Sequence, residues 1–207
     1  MKSRTKKVDA IILAAGWLGH KKLFPKALME IGDETLLEKQ VQWLRPFANK
    51  IIVSCTTQEA VQIRAYHPEL KLTFAATPDL PGTAGSLKHA IPHTSTDSFL
   101  VVNVDDITDI DLPTLIDFGP NTVCVANPRL HYGMIEIENQ EIKSFREKPL
   151  LKDLWVSCGV YLLNKSIAAK LPERGNIAKD VFPYLKLRAY KHFGVWRTIA
   201  NHHDHSQ

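Results

Sequence analysis

Within the first hundred or so residues, short unbroken apolar runs alternate with segments whose apolar residues recur at helical spacing, and few architectures accept that rhythm. Val8–Ala14, Lys50–Cys55, Leu70–Ala75 and Ser98–Val104 (SFLVVNV) read as strands buried on both faces. Between them, Glu34–Phe47 (ETLLEKQVQWLRPF) has helical periodicity, with Asp33 as its N-cap and Pro46 at its end. Gln58–Tyr66 is a second helix, stopped by Pro68, and Thr83–Ile91 a short third. The pattern predicts an α/β fold whose mostly parallel sheet is flanked by helices on both faces. From about Asn121 the rhythm changes. The strands TVCVAN, YGMIEI, EIKSF and WVSCGVYLL follow in quick succession, with Asn139-Gln140 in a turn. Short helices are expected at Lys165–Leu171 and Ile177–Leu185, then a closing strand pair near Arg188–Ile199. No repeat or Gly/Ser linker intervenes, so residues 1–207 are expected to form a single domain with halves of about 8–120 and 121–204.

Composition excludes several classes of function. The apolar and charged fractions, 44% and 23%, suit a soluble globular protein, and no apolar run is long enough to span a bilayer. The net charge of +4 is mild, and the basic start MKSRTKK reads as a solvated terminus rather than a nucleic-acid arm. A basic stretch before Ala10–Leu18 resembles a secretory signal. Asp9 interrupts that junction, however, and cleavage would delete the best strand of the chain. Cys55, Cys124 and Cys158 are odd in number, and each lies in or beside an apolar run, as buried reduced thiols do. A cytoplasmic protein is expected, with no nucleic-acid or membrane partner and a homo-oligomer possible.

In open α/β sheets, ligands gather beyond the carboxyl ends of the strands. That rule singles out Ala14–Lys26, Thr77–Gly85 and Asn103–Asp111. The first, AAGWLGHKKLFPK, opens with small residues that admit a ligand close to backbone N–H groups. It offers His20, Lys21, Lys22 and Lys26 to a polyphosphate. It matches neither the P-loop nor the G-x-G-x-x-G pattern, and a turn with solvated lysines is the plainer alternative. The second, PGTAGSLKHA, sets Gly82 and Gly85 around Thr83 and Ala84 at a helix start, with backbone free to read a flat ligand edge. Thr83 as a simple N-cap is its alternative. The third, LVVNVDDITDIDL, empties a buried strand into carboxylates, the hard oxygen donors that Mg²⁺ takes while substrate phosphates complete its shell. Asp105, first after the strand, is the candidate ligand. Asp106 is expected to turn away, Asp111 to cap the next helix, and Asp109 to face solvent. In a fourth segment, FREKP, Glu147 can accept from hydroxyls and Lys148 donate to a phosphate, although Glu-Lys-Pro is also a common polar turn.

The order of these segments resembles that of the sugar-1-phosphate nucleotidyltransferases, the nucleoside-diphosphate-sugar pyrophosphorylases. Leu13-Ala14-Ala15-Gly16, Pro25-Lys26-Ala27-Leu28 and Ile31-Gly32 with Leu36-Leu37 match the family's N-terminal pattern. Gly82–Lys88 matches its GTAG-x-L-K segment; Asn103, Asp105, Thr108, Asp111 and Leu112 match its N-G-D and T-x-x-D-L elements. Tyr132-Gly133, Phe145–Pro149, Gly159–Tyr161, Asp180–Leu185 and Gly194–Trp196 match the rest, so the likeness runs from about Val8 to Asp204. Four positions depart from it. No arginine follows Gly16, which leaves His20 or Lys21 to supply that charge. Val104 replaces the glycine before the metal aspartate, and Ser157 replaces an asparagine. Thr198 stands where the family carries a second metal carboxylate; Asn201 is the substitute, with Asp204 as the alternative. His202, His203 and His205 read as a polar tail.

The resemblance implies a Rossmann-like sheet with a β-rich, sugar-binding second half. It also implies transfer of a nucleoside monophosphate from a nucleoside triphosphate to a sugar 1-phosphate, releasing pyrophosphate. Leu13, Ala14, Ala15 and Gly16 with Gly82, Thr83, Ala84 and Gly85 would cradle the nucleotide. Lys26, His20 and Lys21 would serve catalysis at the phosphates, and Asp105 and Asn201 would hold Mg²⁺. Asn103, Gly133, Glu147, Lys148 and Ser157 would receive the sugar phosphate. Two other classes share these features: a metal-dependent glycosyltransferase using Asp105-Asp106, and a non-catalytic nucleotide or sugar-phosphate sensor. Lys26 and the segment Phe145–Pro149 argue against the first; the missing arginine and Thr198 motivate the second.

Overall fold

The computed structural model describes residues 7–18 and 24–199. The principal strands, in chain order, are β1 (Val8–Leu13), β2 (Ala48–Thr56), β3 (Thr73–Thr77) and β4 (Ser98–Asn103). They continue with β5 (Asp106–Thr108), β6 (Thr122–Ala126), β7 (Met134–Glu138) and β8 (Glu141–Arg146). β9 (Val156–Asn164), β10 (Arg188–His192) and β11 (Trp196–Thr198) complete the set. Seven of them form one sheet in the order β10-β6-β9-β4-β1-β2-β3. The sheet is parallel except around β9, which runs antiparallel to both of its neighbours. The expected mostly parallel α/β sheet is therefore present, and strands from both halves of the chain share it. β1 lies in its interior, between the central β4 and β2, with every residue buried, which is why its sequence shows no polar face.

Helices cover both faces. α1 (Leu36–Leu44), α2 (Thr57–Tyr66) and α4 (Leu112–Phe118) bury Leu36, Val41, Ile63 and Leu115 against the side of β1 that presents Ala10 and Ile12. α3 (Gly82–Ala90) and the short α5 (Ile177–Asp180) bury Leu87 and Ile177 against the side that presents Ile11 and Leu13. All three cysteines are buried and unpaired, and burial pushes the Cys55 thiol up to about 12. No helix among the described residues is long and apolar enough to cross a membrane.

Several boundaries differ from the sequence reading, each for a local reason. α1 starts after Thr35, not Asp33. Thr35 Oγ1 accepts from Glu38 N–H while the Glu38 carboxylate accepts from Thr35 N–H, and this reciprocal pair outcompetes an aspartate left in the preceding turn. β3 begins three residues later than expected, because Leu70 N–H closes a turn on His67 C=O and the chain must cross from α2 before it can pair. The expected helix Ile177–Leu185 divides into α5 and a 3₁₀ turn at Phe182–Tyr184, since Pro183 has no N–H to continue the ladder. The two closing strands do not pair with each other: β10 extends the main sheet beside β6, whereas β11 pairs antiparallel with β5.

Candidate active site

β1 and β4 are neighbours in the sheet, and the chain leaving their carboxyl ends builds the site. Val104 N–H donates to Leu13 C=O (3.1 Å) and Ala14 N–H to Ser54 C=O (2.8 Å), so the two loops start in register. Gly16, at φ +153°, occupies a backbone region in which glycine is at ease. Its N–H donates to Glu59 Oε1 (2.8 Å), and its C=O accepts from Lys26 N–H (2.9 Å). Glu59 is fully buried at the start of α2, where Oε2 accepts from the backbone and hydroxyl of Thr56. A helix cap thus also holds the first loop, a role that the T-x-x-E pattern at Thr56–Glu59 signals in sequence. Trp17–Leu18 pairs antiparallel with Phe24–Pro25 through the backbone. His20 and Lys21 lie outside the described residues.

Lys26 follows the Phe24–Pro25 strand, and its ammonium forms an ion pair with Asp105 Oδ2. The two side chains, 20% and 23% exposed, are sheltered but reachable by a ligand. The sequence motifs that carry Lys26 and Asp105 therefore converge on one point. Asp105 C=O also accepts from Ile199 N–H (2.9 Å), which ties β11 to the same turn.

Asp106 does turn away from Asp105, and its destination is specific. Oδ1 accepts from Trp196 Nε1–H (3.0 Å) and Thr198 Oγ1–H (2.5 Å), and Oδ2 from Asn103 Nδ2–H (2.9 Å). A Cβ on Gly159, at φ +70°, would stand 1.9 Å from Oδ2, so only glycine admits this carboxylate against β9. Gln40 Nε2–H on α1 donates to Asp106 C=O (2.8 Å). Burial pushes the Asp106 carboxyl above its ordinary range, against the downward pull of its hydrogen-bond donors. In sequence this residue was weighed only as half of the Asp105-Asp106 doublet of the glycosyltransferase alternative, and nothing there signalled its buried role. Thr198 faces Asp106, its cross-strand partner, so the polar oxygen at position 198 is committed to a neighbouring carboxylate. Asn201 lies outside the described residues.

The remaining candidates fall into two groups. Asn103 and Ser157 meet near Gly159: Ser157 Oγ accepts from Gly159 N–H (3.4 Å) and donates to the Tyr161 hydroxyl (3.2 Å). Glu147 and Gly133 meet at the base of the β7–β8 hairpin, where a Cβ on Gly133 would lie 3.1 Å from Glu147 Oε2. Lys148 adopts φ +43°, and its C=O accepts from the Arg129 guanidinium (3.0 Å). In the segment 82–85 the expectation of free backbone needs correction. Cβ atoms on Gly82 and Gly85 would fall 2.3 and 2.2 Å from the carbonyl oxygens of Gly175 and Glu173. Ala84 N–H already donates to Gly175 C=O, and the Thr83 hydroxyl accepts from Ile177 N–H. These glycines allow α3 to pack against residues 173–175. Neither Thr83 nor any other side chain caps the helix. Asp111 does cap α4 through Thr114 N–H, whereas Asp109 pairs with His192 instead of only facing solvent.

The donor set at Asp105 fits a hard divalent cation. It is a sheltered carboxylate at a strand end, a hard oxygen donor, and one carboxylate suits an ion that draws most of its ligands from water and phosphate. Comparison with known proteins fits this arrangement. The family model for the MobA-like NTP transferase domain matches residues 10–116. The D-glycero-alpha-D-manno-heptose 1-phosphate guanylyltransferase of Campylobacter jejuni is 27% identical, over 77% of this chain and 77% of its own length. The glucose-1-phosphate cytidylyltransferase of Salmonella typhi is 24% identical, over 95% of this chain and 93% of its own. In fold, the chain is similar to HddC from Yersinia pseudotuberculosis, crystallised with GMP-PN: TM-score 0.72 at 20% identity, covering 96% of both chains.

Proposed function

As the chain belongs to the MobA-like NTP transferase domain family, we propose that it is a sugar-1-phosphate nucleotidyltransferase, joining a nucleoside monophosphate to a sugar 1-phosphate. The observation that carries this reading is the meeting of Lys26 and Asp105 at the adjoining ends of β1 and β4. Relatives named as sugar-1-phosphate guanylyl- and cytidylyltransferases, matched along most of the chain, support it.

In the proposed reaction a phosphate oxygen of the sugar 1-phosphate attacks the α-phosphorus of the triphosphate. A new O–Pα bond forms, the Pα–O bond to the β-phosphate breaks, and pyrophosphate leaves with the bonding pair. Such transfers need in-line positioning and charge neutralisation more than covalent help. Lys26 has an ammonium poised beside Asp105 and exchanges that partner for a phosphate oxygen, holding the triphosphate where charge develops. Leu13–Gly16 present backbone to the nucleotide. Glu147 orients sugar hydroxyls beside Gly133, and Lys148 neutralises the sugar phosphate. Asn103, fixed by Asp106, and Ser157, beside Gly159, line the sugar side between the sheet and β11. Asp105 would hold Mg²⁺, which when bound supplies charge neutralisation to the triphosphate. The three buried thiols support a cytoplasmic setting. The test is a matrix of nucleoside triphosphates against sugar 1-phosphates, with pyrophosphate release as readout. Release with at least one pair supports transfer. Consumption of a finished nucleotide sugar without pyrophosphate would identify a glycosyltransferase, and binding without turnover a sensor.

A further inference from the structure

Away from the Lys26–Asp105 site, a cavity of about 320 Å³ opens between the start of α1 and the end of α2. Its lining contains the carboxylates Glu30, Asp33, Glu38 and Glu69 but no lysine or arginine among the described residues. His67, only 5% exposed, is aimed into it. His67 Nδ1 stands 3.2 Å from Glu69 Oε1 and 3.6 Å from Glu38 Oε1. The donor atoms of the three residues all lie within 4.8 Å of one another. Two ligands each about 2.0–2.1 Å from a tetrahedral ion stand roughly 3.3 Å apart, and both nitrogen–oxygen separations bracket that value.

The hydrogen bonds behind the cluster say what the imidazole lacks. Thr35 Oγ1 accepts from Glu38 N–H, lies 3.1 Å from Glu38 Oε2, and lies 2.9 Å from His67 Nε2. Its single proton, given to Glu38 Oε2, leaves an oxygen that can only accept from His67 Nε2–H. His67 Nδ1 then faces two carboxylate oxygens, with no other cationic side chain lining the space among the described residues. Glu38 Oε2 is occupied by Thr35 N–H (2.8 Å), which fixes the side chain and leaves Oε1 facing His67. A buried nitrogen and two carboxylate oxygens in this arrangement form a ligand set that a metal ion can fill in place of the imidazole proton.

We propose that His67, Glu38 and Glu69 bind a divalent cation of the zinc class. One nitrogen with two oxygens suits Zn²⁺ better than Mg²⁺, which takes all-oxygen shells, so this site is chemically distinct from the one at Asp105. It would clamp the start of α1 to the end of α2. Those two helices reach the active-site loops through Gln40 and Glu59.

The test uses metal-stripped, full-length protein carrying H202A/H203A/H205A, so that the histidine tail cannot bind zinc. Zn²⁺ is titrated by calorimetry, and Co²⁺ is followed by visible absorption. One equivalent of Zn²⁺ should bind and raise the Tm, and Co²⁺ should give the intense bands of a low-coordinate nitrogen–oxygen site. His67→Gln should abolish that equivalent. Glu69→Gln, at an exposed position where folding is safe, should weaken it roughly tenfold or more, the usual scale for losing a metal-site partner. Two results overturn the proposal. One is no zinc uptake, which would mean that a proton fills the gap instead. The other is uptake unchanged in both His67→Gln and Glu69→Gln, which would put the ion elsewhere.

Discussion

Asp105 and Gly16 sit in loops held from behind by buried side chains, Gln40, Asp106 and Glu59. The β7–β8 hairpin stands in water: Ile137 and Ile142, paired across it, are 72% and 65% exposed. Ile135 pairs with Phe145 along the same ribbon, while Arg146–Glu136 and Lys143–Glu138 ion pairs lie on its exposed surface. The strands behind the first region are apolar on both faces and have a core on each side; the hairpin alternates apolar and polar residues, yet no core receives its apolar face. An isolated two-stranded ribbon is marginal in water. The stability of the hairpin must come from its base, where Leu130 N–H donates to Pro149 C=O and Leu151 N–H to Pro128 C=O. In the first region a side chain is placed by its neighbours; in the second, by the chain's entry and exit.

The sharpest break of this comparison is Asp105→Ala. It should cut pyrophosphate release by at least roughly a hundredfold, the scale for removing a preorganised charge, while the melting temperature stays near that of the wild type. Undiminished, metal-dependent turnover would overturn the assignment. Lys26→Ala should cost about a hundredfold on the same scale. Because the two side chains touch, the double variant should fall short of the product of the single losses, and full additivity in a double-mutant cycle would show that they act independently.

Asp106→Ala should act through stability, since it strands donors on Asn103, Trp196 and Thr198; a loss of about 3 kcal/mol, or roughly 6–12 °C in Tm, is expected. The pH dependence has a definite sign. The folded-state pKa of Asp106 is raised above 3.8 by burial, so the folded protein binds this proton more tightly than the unfolded chain. The wild type should therefore lose stability relative to Asp106→Asn as pH rises from about 3.8 through the folded-state value, and melting curves across that window check it. Thr198→Asp should also destabilise, by setting a second carboxylate against the first. The exchange Asp106→Thr with Thr198→Asp should recover stability, because it moves the charge across the β5–β11 pair without duplicating it.

The smallest effect is expected on the hairpin. Ile137→Ser and Ile142→Ser should each change stability by no more than about 0.5 kcal/mol, as exposed substitutions do. A larger loss with a fall in native mass by light scattering would mean that a second copy covers this face.

Much of the fold was legible because burial on both sides of a sheet writes itself into composition. Val8–Leu13 and Ser98–Asn103 could be little else, and the strands at 134–138 and 141–146 followed from the turn at Asn139-Gln140. What was illegible involved choices between equivalent local options. Asp33 and Thr35 are both good caps, and only the reach of Glu38 decides between them. The pairing of β11 with β5 depends on contacts between residues some ninety positions apart, such as Thr198 with Asp106. At the site, Asp105 was readable because it follows a buried strand, and Lys26 because it ends a basic loop that begins with small residues after another. Asp106 was not, since its partners Trp196, Thr198 and Gly159 are distant in sequence. The glycines at 82 and 85 announced a close approach, but not that the approaching group is the backbone at 173–175.

The insertion of β9 between β4 and β6 has a consequence for biosynthesis. Phe99, Leu100, Val101 and Val102 of β4 are paired on one edge by Leu163 to Val160, residues that leave the ribosome long after them. Until then an apolar, fully β-prone edge lies open beside the segment that will carry Asp105, the kind of surface on which nascent chains stick to one another. A fragment ending near residue 120 would hold that edge open permanently, so it should collect in inclusion bodies rather than serve as a minimal nucleotide-binding module.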